Sequence, residues 1–235
     1  MANDININDK YIPLFNGNTR YYVVTGGRGS GKSFGVTVRL LQLTYEPNHK
    51  VLFTRYTMTS AHTSIIPEFI EKIDMMKVQA DFRITKDEIT NLKTGSSILF
   101  KGIKTSSGNQ TASLKSLNGV TTFVVDEAEE LTDEKTFDKI DFSIRSKTET
   151  NRVILVMNPS TKEHWIYKRF FEDKGIQEGT NLQKDNITYI HTTYLDNLEN
   201  LSESYINQIE NIKQRRPEKY KHQMLGGWLN KAEGV

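Results

Sequence analysis

The chain has 235 residues, no cysteine, and a formal net charge of +2 from 31 basic and 29 acidic residues. This length supports one large domain, or one domain with a small appendage, around a core that needs no staples. The lack of cysteine excludes disulfide scaffolds, thiol nucleophiles, iron–sulfur clusters and cysteine-based zinc sites. The near-balanced charge excludes a histone-like binder but leaves room for a local groove that touches nucleic acid. No apolar run approaches the roughly 18 residues of a membrane span, and the polar, acidic start MANDININDK is neither a signal nor a transit peptide.

The first strand signal is residues 21–25, YYVVT. It runs into Gly26-Gly27-Arg28-Gly29-Ser30-Gly31-Lys32-Ser33, and a helical pattern follows from Lys32 to about Tyr45, ended by Pro47. The glycine-rich stretch fits G-x-x-x-x-G-K-[ST]. Its glycines let backbone N–H groups converge on phosphate oxygens, and the helix that follows offers free N–H groups and a positive dipole end. Lys32 then reaches the β- and γ-phosphates, and the Ser33 hydroxyl ligates Mg²⁺.

A second strand is expected over residues 51–56, VLFTRY, and a helix over residues 63–78 with apolar positions Ile65, Ile66, Phe69, Ile70 and Ile73. Residues 82–102 read as an antiparallel hairpin or meander beside the main sheet. The Ser-, Gly- and Asn-rich residues 104–111 read as a mobile surface loop.

Residues 121–126, TTFVVD, form a short apolar run ending in Asp126 and Glu127, suited to a strand buried on both faces. Paired with a phosphate loop about a hundred residues upstream, Asp126 is placed to hold Mg²⁺ and Glu127 to activate a water against the γ-phosphate. A small-molecule kinase must exclude water, so Glu127 speaks against one. Glu129, Glu130, Asp133 and Glu134 read as a solvated face and the start of an acidic helix over residues 133–145. Phosphoryl transfer needs positive charge on the transition state. Arg28 inside the loop, Arg55 at the end of the second strand and Arg145 after the acidic helix are the candidates.

Residues 152–157, RVILVM, read as a buried strand beside the phosphate strand. It ends at Asn158, whose amide could sense the γ-phosphate or hold the water, or simply make a turn with Pro159. A helix over residues 162–173 carries Trp165, Phe170 and Phe171 at core-like spacing. A last strand ends at Tyr194, and residues 201–225 read as two short helices parted at Pro217. The five histidines show no metal-ligand spacing. Strands alternating with helices argue for a largely parallel sheet covered on both faces.

The order GGRGSGKS, LFTRY, SLKSLNGVTTFVVDEAEEL, SIRS, VILVMNPSTKEHWIYKRFF, HTTYLDN and LGGW resembles the large terminase subunit of tailed double-stranded DNA phages over residues 20–235. The resemblance implies a P-loop NTPase of the RecA-like class: a mainly parallel sheet flanked by helices, an antiparallel hairpin addition, and a small C-terminal helical lid or linker. It implies an ATPase core over residues 1–195 and a lid or linker over 196–235, with the family's nuclease domain absent. It further implies ATP and Mg²⁺ as cofactors, and Glu127 as catalytic base. Lys32 and Ser33 bind nucleotide and metal, Asp126 holds the metal, Asn158 lies in the coupling motif, and Arg28 stands where an arginine finger is often assigned. Implied partners are double-stranded DNA, the portal of the procapsid, the small terminase subunit and further copies of the chain in a ring, all in the host cytoplasm. Two other readings remain open: a helicase-like DNA translocase of another family, and a nucleotide-dependent DNA-binding or assembly module with little turnover.

Overall fold

A computed structural model of the chain describes residues 3–58, 60–105, 108–109 and 118–230. Strands β1 (Tyr21–Gly26), β2 (Lys50–Thr57), β3 (Phe82–Ile84), β4 (Glu88–Asn91) and β5 (Ser97–Thr105) are followed by β6 (Gly108–Asn109), β7 (Thr122–Asp126), β8 (Arg152–Met157), β9 (Leu182–Lys184) and β10 (Ile187–Thr192). They join in one sheet, ordered β3-β4-β5-β2-β7-β8-β1-β10-β9, with β6 on β5. The block from β5 through β10 is parallel; β3, β4, β6 and β9 pair antiparallel at its margins. The expected neighbour relation holds, since β8 lies between β1 and β7.

The central strands are buried on both faces, and alternate residues divide between two cores. Val24, Val51, Phe53, Val124 and Ile154 join one core with Leu40 and Leu41 of helix α1 (Lys32–Leu43) and Phe69 of α2 (Ile66–Met76). Val23, Leu52, Phe123, Val125, Val153 and Leu155 join the other with Phe137 and Ile140 of α3 (Glu134–Asp141) and with Trp165, Phe170 and Phe171. The three aromatics therefore pack in the core, as their spacing suggests. A third, small cluster, Tyr194, Ile209, Tyr220 and Met224, belongs to the helical C-terminal part around α4 (Glu203–Arg215).

Several expectations need correction. The helix expected over residues 63–78 breaks at Ile65, because Pro67 has no N–H to donate within a continuing helix. Residues 97–100 are not a third hairpin strand beside the sheet. They open β5, which pairs antiparallel with β4 but parallel with β2, and so belongs to the main sheet. Lys104 and Thr105 end that strand, and Gly108–Asn109 turn back along it; the rest of the expected loop, apart from these four residues, lies outside the described residues. The acidic helix ends at Asp141, with Asp133 as its cap accepting from the Lys135 and Thr136 N–H groups.

Candidate active site

Parallel pairing brings the ends of four strands to one edge of the sheet. Thr25 is level with Met157, Val156 with Asp126, and Val125 with Thr54. Gly26, Arg55, Asp126, Glu127 and Asn158 therefore sit within about one residue of a common rung. They surround a cleft of about 500 Å³, lined by residues 27–34, Arg55, Asp126, Glu127, Glu129 and Asn158 among others.

The phosphate loop closes that cleft from below. Gly29 and Gly31 take φ of +76° and +78°, a region only glycine enters without strain. Gly31 caps α1 with no side-chain hydrogen bond, and no acid stands in the first turn. The first N–H groups of α1 are thus left for an anion. The loop is held from outside by Tyr11, whose hydroxyl donates to Ser30 O (3.0 Å), and by Asn197 Nδ2, which donates to Gly29 O (2.9 Å). Gln223 O accepts from the Arg28 N–H at 2.8 Å.

Lys32 lies back against its own loop. Its ammonium donates to Gly26 O (3.0 Å), Gly27 O (2.9 Å), Ser30 Oγ (3.2 Å) and Asn158 Oδ1 (3.0 Å). Burial pushes its pKa down to about 8, against the pull of Glu129 and Asp126. The Lys32–Asn158 bond ties the phosphate loop to the end of β8.

Asp126 is buried at the end of β7, and Arg55 sets two nitrogens on its Oδ2, at 2.8 and 2.7 Å. Glu127 follows with φ +53° and ψ +47°, a left-handed conformation costing a non-glycine residue on the order of 1 kcal/mol. The turn leaves its carboxylate half-exposed in the cleft, 3.6 Å from Arg55 Nε. Burial raises its pKa, with Arg55 opposing.

Glu129 is a residue the sequence reading missed. Placed there on a solvated face, it instead lines the cleft, with Oε2 buried and without a hydrogen-bond partner. Burial pushes its carboxyl up to about 7, against backbone N–H groups of Glu129 and Asn158. His164 and Trp165 brace this turn: His164 Nε2 lies 3.1 Å from Glu129 O, and Trp165 Nε1 donates to Leu131 O at 2.6 Å. Burial keeps His164 toward its neutral form. Histidine and tryptophan after Asn158-Pro159 thus have a shared task that metal-ligand spacing did not suggest.

The structure brings together Gly26, Gly27, Arg28, Gly29, Ser30, Gly31, Lys32, Ser33, Arg55, Asp126, Glu127 and Asn158. It does not bring Arg145 to them. Arg145 is exposed just after Ile144, whose carbonyl accepts from Arg20 at the opposite end of β1. Because α3 runs back along the sheet, its end lies at the wrong edge to serve its own chain's cleft.

Asp126 and Ser33 offer hard oxygen donors on one wall and floor of the cleft, which fits Mg²⁺. Among the described residues no cluster of three His, Asp or Glu side chains is arranged to hold a metal alone. A divalent ion held there would need further ligands beyond these two side chains.

The phage terminase large subunit model matches residues 18–227. The chain belongs to that family. It is 27% identical to the terminase large subunit of Bacillus phage SPP1 over 216 residues, 87% of this chain and 48% of that protein. The chain spans about half the length of the curated terminases it matches. In fold it is similar to the large terminase of a thermophilic bacteriophage, with TM-score 0.73 at 13% identity over 96% of this chain and 54% of the other. That terminase has also been solved with ADP and with ATP-γ-S. The isolated large terminase ATPase domain of a Thermus phage gives TM-score 0.68 at 13% identity, covering 95% of this chain and 94% of the domain. The terminase fold is thus shared along nearly the whole chain. No helix among the described residues is long and apolar enough to cross a membrane.

Proposed function

We propose that this terminase chain hydrolyses ATP and that the hydrolysis drives double-stranded DNA into a procapsid. The observation that carries the reading is the convergence of Lys32, Asp126, Glu127 and Asn158 on one sheet edge beside a helix with free N–H groups. The terminase relatives, one solved with ADP and an ATP analogue, support it.

On binding, Lys32 exchanges its four neutral acceptors for phosphate oxygens, and the α1 N–H groups take the remaining charge. Ser33 and Asp126 would hold Mg²⁺, which shields phosphate charge when bound. Glu127 receives the proton of the attacking water, its carboxylate being open to the cleft. Arg28, on the loop itself, places a guanidinium near the transferring group. Asn158 loses Lys32 as donor when the phosphates arrive, so its amide reports occupancy to β8.

The wider setting is part of the same proposal. Residues 1–195 form the ATPase core, and 196–235 form a lid or linker. Copies assemble as a ring on the portal, together with the small subunit and DNA in the host cytoplasm. Arg145, exposed and remote from its own cleft, then serves a neighbour or no site at all.

The test is phosphate release with and without DNA and procapsid. Lys32→Ala should lose nucleotide binding. Glu127→Gln should keep binding and lose roughly 10²- to 10⁴-fold in turnover. Wild-type turnover in Glu127→Gln would remove the base assignment, and unchanged binding in Lys32→Ala would remove the phosphate assignment.

A further inference from the structure

At this sheet edge the Arg55 guanidinium stands among several carboxyl groups. Arg55 Nε and a terminal nitrogen both bond Asp126 Oδ2, at 2.8 and 2.7 Å, and Nε stands 3.6 Å from Glu127 Oε2. The third carboxyl is Glu68 on α2. Burial and then the Asp126 charge push its pKa up, while Arg55 and Lys72 pull it back, so it shares the same electrostatic cluster.

Two neighbouring lysines are committed elsewhere. Lys72 Nζ pairs with Glu71 at 2.7 Å and lies over the Phe34 ring at 5.3 Å. Lys32 is held by carbonyls, Ser30 and Asn158. Among the described residues, Arg55 is the cation that bonds Asp126. It grips a single oxygen rather than matching both, so this is not the two-oxygen fork in which arginine and carboxylate satisfy each other. No described residue hydrogen-bonds Asp126 Oδ1.

We infer that Arg55 is the resident counter-cation of Asp126 and that a divalent metal takes this carboxylate in competition with that guanidinium. The inference rests on the nucleotide-hydrolysing reading of the cleft and makes Arg55 a positioning residue within it. With no nucleotide, the guanidinium cancels the charge that would attract a free ion. With nucleotide, phosphate oxygens supply the ligands that the protein alone lacks, and the exchange becomes favourable. The displaced guanidinium then has Glu127 as its nearest carboxylate, so metal arrival and the orientation of Glu127 become one event.

Mn²⁺ binding to the nucleotide-free chain tests this, read by the paramagnetic resonance of free Mn²⁺ during titration. Wild type should bind weakly. Arg55→Ala and Arg55→Gln should each bind roughly ten-fold tighter or more, the scale of an opposite charge removed from a carboxylate. Arg55→Lys should fall between, since an ammonium keeps the charge without two nitrogens on one oxygen. Adding Asp126→Asn to Arg55→Gln should abolish the gain. Mn²⁺ affinity in folded Arg55→Gln no tighter than in wild type would overturn the inference. So would a gain that survives Asp126→Asn. Fluorescent-nucleotide binding and turnover by wild type in the same buffer keep the two readings apart. If wild type hydrolyses ATP while Mn²⁺ affinities do not differ, the Arg55 inference fails alone. If wild type neither binds nor hydrolyses ATP, the functional reading fails, whatever the Mn²⁺ series gives.

Discussion

Two arginine–aspartate pairs stand at opposite edges of the same sheet, with nearly equal lengths: Arg20–Asp141 at 2.6 Å and Arg55–Asp126 at 2.7 Å. Their surroundings differ. Asp141 is 1% exposed; Oδ1 accepts from Arg20 and Oδ2 accepts from the Tyr21 hydroxyl at 2.7 Å. The same Arg20 nitrogen also reaches the carbonyls of Asp141 and Ile144. Each carboxylate oxygen has a donor, so the pair locks α3 to the start of β1. Asp126 has one oxygen gripped twice and like-charged Glu127 and Glu68 beside it. A closed network holds structure together, whereas an open one stores a choice of partner.

The largest expected effect separates the two pairs by assay. Asp126→Asn should lower turnover by roughly 10²- to 10³-fold while shifting the unfolding free energy by about 1 kcal/mol or less, because Arg55 keeps Glu127 as a partner and both line the open cleft. Asp141→Asn should do the reverse. Breaking a buried pair and stranding a tyrosine hydroxyl should cost about 3 kcal/mol in urea unfolding, with turnover per folded molecule unchanged. Equal losses of stability in both variants would erase the distinction.

Glu129 gives a smaller, pH-dependent effect in the open region. Its carboxyl is raised from 4.5 to about 7, so the folded chain holds that proton more tightly than the unfolded chain. The associated stability is complete below pH 4.5 and is lost as pH rises through about 7. Glu129→Gln should therefore flatten the decline between those values and stabilise the nucleotide-free chain at pH 8 by on the order of 1 kcal/mol. A stability–pH curve unchanged by the substitution would show that the carboxyl is charged at neutral pH. The smallest effect is expected at Arg145, exposed beyond α3 on the closed side. Arg145→Ala should change the stability and basal turnover of the isolated chain by less than about 0.5 kcal/mol, measured by urea unfolding and phosphate release.

Legibility in the sequence followed the same division. The gathering of the glycine-rich loop, Asp126 and Asn158 at one sheet edge could be read because the motif fixes residue types at strand ends. The direction of β5 could not, since alternation in residues 97–100 shows that a strand exists but not which neighbour it runs along. Arg145 looked close to the chemistry because it follows the acidic segment, yet a helix leaving the top of β7 must return the chain to the bottom of the sheet. Glu129 was hidden among acids. Only the left-handed turn at Glu127 swings the next residues back over the cleft, and no periodicity encodes that turn.

The strap of residues 223–229, which crosses the phosphate loop, carries one more consequence. A Cβ at Gly27 would lie 1.9 Å from Met224 O, and a Cβ at Gly226 would lie 2.5 Å from Gly26 C. Beyond these crossings, Leu229 N–H donates to Ser160 O at 2.8 Å, and the Lys162 N–H donates to Leu229 O at 2.8 Å. Two glycines thus let bare backbone pass against bare backbone, with no room for a side chain between them. The strap leans on the phosphate loop at one end and on the turn after Asn158 at the other. A side chain at either glycine would force the two backbones apart, so the seating of residues 223–229 on the loop depends on both.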